Sequence, residues 1–63
     1  MSKMKKKPLT VVILEDDELA LSAIERRLTH NGFFVLPYSK AEDLMSDVGN
    51  GLIYDCAILD IRI

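Results

Sequence analysis

Three adjacent carboxylates, Glu15-Asp16-Asp17, stand directly after the apolar run Leu9-Thr10-Val11-Val12-Ile13-Leu14, and a further acid, Asp60, directly follows Cys56-Ala57-Ile58-Leu59. An unpaired carboxylate is expensive to remove from water, so a buried run that ends in three of them must open onto a surface cleft. Acids grouped in this way suit a divalent cation or a phosphoryl group. They equally suit a polar loop that caps the next helix, and Glu15-Asp16-Asp17 taken alone does not choose between the two.

The elements that must carry these acids follow from the pattern on either side. The first run is short, β-branched and bounded by Pro8, which predicts a buried parallel strand. From Glu18 to Leu28 the period changes: Ala20, Ile24 and Leu28 recur at spacing four, with Leu21 and Ala23 on the same side, as in an amphipathic helix. Asp17 is placed to be its N-cap, Glu18 sits in the first turn, and Asn31-Gly32 offers a left-handed exit. His30, in the last turn, has a capping or solvated role.

Phe33-Phe34-Val35-Leu36 reads as a second strand, and Pro37 places it at a sheet edge or stops it. Ser39-Lys40-Ala41-Glu42 has the form of a capping box opening a short helix with an apolar side of Ala41, Leu44, Met45 and Val48, read as core. Gly49-Asn50-Gly51 ends it. The last segment, Cys56 to Ile63, is a third strand that delivers Asp60, while Asp55 is a loop acid at the opposite end. Strands separated by helices, with connections too long for hairpins, predict a β-α-β-α-β chain of parallel strands joined by right-handed crossovers.

In such a sheet the carboxyl ends of the strands share one rim. If the first and third strands are neighbours, Glu15, Asp16 and Asp60 converge there. Three carboxylates at close quarters repel one another, and Mg²⁺, which prefers oxygen ligands, is the expected resolution. Beside such a cation Asp60 becomes a candidate nucleophile towards phosphorus.

The segment Val11-Val12-Ile13-Leu14-Glu15-Asp16-Asp17, the helix after it, and Tyr54-Asp55-Cys56-Ala57-Ile58-Leu59-Asp60-Ile61-Arg62 together resemble the first half of a response-regulator receiver domain of two-component signalling. The likeness runs from about Leu9 to Ile63 and rests on the two acidic motifs, their separation and the order of elements. It implies an α/β, truncated flavodoxin-like (receiver) fold with parallel strands in order 2-1-3. It also implies that Asp60 accepts a phosphoryl group from a histidine kinase or phosphotransfer protein. By the same resemblance Asp16 binds Mg²⁺ directly, Glu15 assists through a metal-bound water, and the backbone carbonyl of Arg62 is a main-chain metal ligand. The family's later Ser or Thr and its Lys, which contact the phosphoryl oxygens, have no counterpart among these residues. Lys40, predicted at the start of the second helix, is not in the matching place.

Sixty-three residues make at most one small domain, and a chain of this size buries only about 60% of the surface that its unfolded form exposes. Residues 1–7, with four lysines, are expected to be a basic flexible tail, and residues 8–63 the half-receiver. The apolar run after the lysines is too brief for a secretory signal, and no segment approaches the roughly 20 apolar residues of a membrane span. A net charge of −2 argues against a nucleic-acid surface, and the single Cys56, read as a small buried residue, suits a cytoplasmic setting. A third strand left open at its outer edge predicts a homo-oligomer. Two functions therefore compete: a phosphoacceptor module, and a non-catalytic interaction module that is not phosphorylated in isolation. Whether the chain counts as an enzyme is left open, since no His, Ser or second base stands beside the acids.

Overall fold

The computed structural model describes residues 8–60. Five elements alternate along the chain: β1 (Thr10–Leu14), α1 (Glu18–His30), β2 (Phe34–Tyr38), α2 (Ala41–Gly49) and β3 (Cys56–Leu59). The expected tail at residues 1–7 and the predicted continuation of the third strand through residues 61–63, including Arg62, lie outside the described residues.

The strands form one parallel sheet in the order β2-β1-β3. Thr10 pairs with Phe34 and Leu14 with Tyr38 on one side of β1, while Val11 pairs with Cys56 and Leu14 with Leu59 on the other. The sheet is thus α/β with the expected 2-1-3 order. Steps of opposite direction, β1 to β2 and then β2 back past β1 to β3, put the two connecting helices on opposite faces when both crossovers are right-handed. β1 is consequently covered on both faces: Val11, Val12 and Ile13 are all buried, and Ile13 is 0% exposed. This explains a continuous apolar run in place of an alternating one.

Both helices stop for the same reason. After α1, Gly32 adopts φ +91° and donates its amide to Thr29 O at 3.0 Å, while Phe33 N reaches back to Leu28 O at 3.1 Å. After α2, Gly51 adopts φ +96°, with Gly51 N to Val48 O at 3.1 Å and Leu52 N to Asp47 O at 3.0 Å. These are paired Schellman closures, and the positive φ is the reason that glycine stands at each.

Four expectations need correction. β2 runs from Phe34 through Pro37 to Tyr38 rather than over Phe33–Leu36; of the two readings of Pro37 the edge position holds, and on an edge strand the missing N–H costs no ladder bond on the sheet side. The longer strand shifts the start of α2, so Lys40 is the N-cap with no side-chain hydrogen bond, and the Ser39–Glu42 capping box is not formed. Of the apolar side assigned to α2, only Leu44 is buried, whereas Met45 is 66% exposed. Cys56 is exposed rather than buried, as are all four residues of β3, because nothing described covers that strand beyond β1. α1 has no fully buried residue either; Ala20, Leu21, Ile24 and Leu28 are half-buried and Ala23 is exposed.

Candidate functional site: a carboxylate rim at the ends of β1 and β3

Glu15 and Asp60 are each the first residue after a paired position, since Leu14 and Leu59 are the last partners of the β1–β3 ladder. Neighbouring strands lie about 4.8 Å apart, so two acids at this shared register come out side by side. Their main chains are pinned: Asp60 N donates to Leu14 O at 3.0 Å and Glu15 N donates to Tyr38 O at 3.0 Å. The rim is therefore stitched across all three strands.

The side chains sense one another as well: Asp60, and to a smaller extent Asp16, act on the Glu15 carboxyl group and favour its neutral form. Glu15 is only 3% exposed, whereas Asp16 and Asp60 face solvent. Its pKa is raised above the ordinary 4.5, first by Asp60 and further by burial. One contact opposes the rise: Asp17 N donates to Glu15 Oε2 at 2.9 Å and favours the ionised form.

Asp17 has the structural role expected of it. Its Oδ1 accepts from Leu19 N at 3.0 Å and from Ala20 N at 3.4 Å, capping α1. It does not join the cluster through its side chain, which leaves Glu15, Asp16 and Asp60 as the chemical group. At the far end of the same strands, Asp55 Oδ2 accepts from Thr10 N at 2.7 Å and Asp55 N donates to Thr10 O at 2.9 Å. That reciprocal clamp fixes the β1–β3 register from below and makes Asp55 more than a loop acid. Sequence reasoning missed Tyr38, whose carbonyl holds the rim and whose hydroxyl donates to Asp47 Oδ2 at 2.6 Å. The signal was masked by Pro37, which reads as a strand end.

The donor chemistry fits a hard cation: three carboxyl groups, one of them buried against another, form an oxygen-only set that gains from added positive charge. As they stand, no group of three His, Cys, Asp or Glu side chains among the described residues is set to hold a metal ion. The predicted main-chain ligand Arg62 lies outside the described residues.

A surface hollow of roughly 500 Å³, lined by Ala23, Arg26, Arg27, His30 and Asn31, lies along the C-terminal half of α1, the opposite end of that helix from the rim. No carboxylate lines it, and it takes no part in the carboxylate chemistry. Among the described residues no helix is long and apolar enough to cross a membrane. Compared with protein-family models, with curated proteins and with solved structures, the chain matches none.

Proposed function

We propose that this chain carries the first half of a receiver domain and that Asp60 accepts a phosphoryl group. The observation that carries the reading is the placement of Asp60, at the end of β3, beside Glu15, at the end of β1. The order β2-β1-β3 supports it, being that of the first three strands of a flavodoxin-like 2-1-3-4-5 sheet, in which ligands sit at the β1/β3 switch point.

In this reading Asp60 Oδ attacks phosphorus in line as the P–N bond of a partner's phosphohistidine breaks, and the departing imidazole nitrogen takes a proton from solvent. Asp16 and Asp60 would hold Mg²⁺ directly, Glu15 would assist through a metal-bound water, and the resemblance adds the main-chain carbonyl of Arg62, which lies outside the described residues. The cation supplies charge neutralisation that lets an anionic carboxylate approach an anionic phosphoryl group. Asp60 is exposed and so open to a partner, while Glu15 beside it is buried. The partner is a histidine kinase or phosphotransfer protein, and the setting is the cytoplasm.

Acetyl phosphate with Mg²⁺, read by intact mass and peptide mapping, tests the reading. One phosphoryl group on Asp60, lost in Asp60→Asn and without Mg²⁺, supports it; absence of labelling with the fold intact sinks it.

A second reading has its own support. All four residues of β3 are exposed, Ile58 and Leu59 among them, and the outer edge of β3 has no described partner strand. The chain then acts as an interaction module, pairing β3 with a second copy to extend the sheet. Light scattering at micromolar concentration decides this: a folded, strictly monomeric species removes the self-association.

A further inference from the structure

Glu15 is fixed from two directions. Its main-chain N–H is held by Tyr38 O at 3.0 Å, and its side-chain Oε2 is held by Asp17 N at 2.9 Å. The second bond depends on the conformation of the residue that supplies the amide. Asp17 is extended, with φ −85° and ψ 111°, and the chain turns into α1 immediately after it. One oxygen of its own side chain, Oδ1, takes both the Leu19 and the Ala20 amides, at 3.0 and 3.4 Å. A side chain that grips the first turn of the helix thereby sets the direction of its own backbone N–H. Asp17 is exposed and adds nothing to the core, so its place in the fold is this turn alone.

We infer that Asp17 is a positioning residue: by capping α1 it aims its backbone amide at Glu15 Oε2 and so fixes the carboxylate that stands beside Asp60. The inference rests on the reading of the rim as a Mg²⁺-dependent acceptor site, which it deepens by adding a residue that orients a ligand without touching the ion. Partners of this kind, one shell removed from a metal, typically change affinity by about 10- to 100-fold when lost.

The test uses the whole chain and two readouts: hydrogen exchange of the residue-17 amide and the affinity for Mg²⁺ alone. Asp17→Ala removes the cap oxygen. Asp17→Gly removes it while remaining a tolerated N-cap, which protects the test against simple loss of the helix. Both are expected to speed exchange at residue 17 and to weaken Mg²⁺ binding about tenfold. Asp17→Asn and Asp17→Ser, which keep a cap acceptor, are expected to stay within about twofold of the parent. Met45→Ala, at an exposed position of α2 away from the rim, is expected to leave both readouts unchanged. Unaltered exchange and affinity in Asp17→Gly overturn the inference. So does a loss in Asp17→Asn as large as in Asp17→Ala, because charge rather than capping would then be acting. If the parent chain binds no Mg²⁺, the receiver reading falls, while the exchange readout still decides whether Asp17 holds Glu15.

Discussion

Glu15 and Asp60 stand side by side as the first residues beyond the last paired positions, Leu14 and Leu59, of two neighbouring strands. A buried carboxyl group beside a second acid favours its neutral form, and the pKa of Glu15 is raised accordingly, with Asp60 the first cause. A folded-state pKa above the unfolded value means that the native state holds more protons, so the contribution of the pair is fully present below about 4.5, the ordinary value. It is lost as pH rises through the folded pKa. Urea midpoints taken from pH 4 upward are therefore expected to fall across this window, and Glu15→Gln is expected to flatten the slope. An unchanged slope in that variant would place the linkage elsewhere.

Mg²⁺ bound at the rim, as proposed, would act on the same pair in the opposite sense, because a cation favours the ionised carboxyl groups. Adding Mg²⁺ is expected to stabilise the chain at pH 8 and to do so much less at pH 4.5. Thermal melts with and without the ion check this, and an equal effect at both pH values would mean that the ion does not compete with the proton.

The register clamp at the far end of β1 and β3 gives a third outcome. Asp55→Ala leaves Thr10 N without its 2.7 Å acceptor, at an exposed position, and is expected to cost about 1 kcal/mol. Asp55→Asn retains an acceptor and is expected to cost less. Denaturant titration distinguishes them.

Much of this arrangement was legible in the residues. The β-branched run of β1, the period-four face of α1 and the glycines after each helix are local signals, and each maps onto a local feature: burial, a helix, a positive φ. The placement of Glu15 and Asp60 at one edge followed from topology, since acids at the carboxyl ends of neighbouring parallel strands have one rim to share. Burial was the property that misled. Cys56 and Met45 are apolar residues in apolar patterns, yet pattern reports which way a side chain points and not whether anything lies above it. The capping box failed for a different reason. Ser39 and Glu42 have the right types, but an edge strand can pass through Pro37, and this displaced the helix start by one residue.

The small core sets the scale of sensitivity to truncation. Val11, Val12, Ile13 and Leu44 are the buried apolar residues among those described, so each carries a large share of the stability of a chain whose margin is small. Ile13→Ala, at a fully buried site, is expected to cost about 2–5 kcal/mol and to leave little cooperative unfolding. Leu19→Ala, at a site 85% exposed, is expected to lie within about 0.5 kcal/mol of the parent. Calorimetry that shows the two variants alike would mean that the sheet centre is not where stability resides.

The last prediction concerns how α2 reaches the rim. Tyr38 joins two parts of the fold: its carbonyl accepts the Glu15 amide, and its hydroxyl donates to Asp47 Oδ2 near the end of α2. The hydrogen bond to Asp47, more than burial or the Asp47 and Asp43 charges, raises the tyrosine pKa above its ordinary value of 10. The sign is the same as for Glu15: the neutral phenol is the favoured partner, so its contribution is present at neutral pH and is lost as pH rises through the folded pKa. Tyr38→Phe keeps the carbonyl but drops the hydroxyl, so α2 is expected to loosen while Glu15 stays in place. Hydrogen exchange is expected to quicken over Ala41–Gly49 in this variant and to stay unchanged at the Glu15 amide. In Asp47→Ala the tyrosinate absorbance is expected to move to lower pH. A variant in which the Glu15 amide loosens along with α2 would show that the rim depends on the helix rather than on the strand carbonyl.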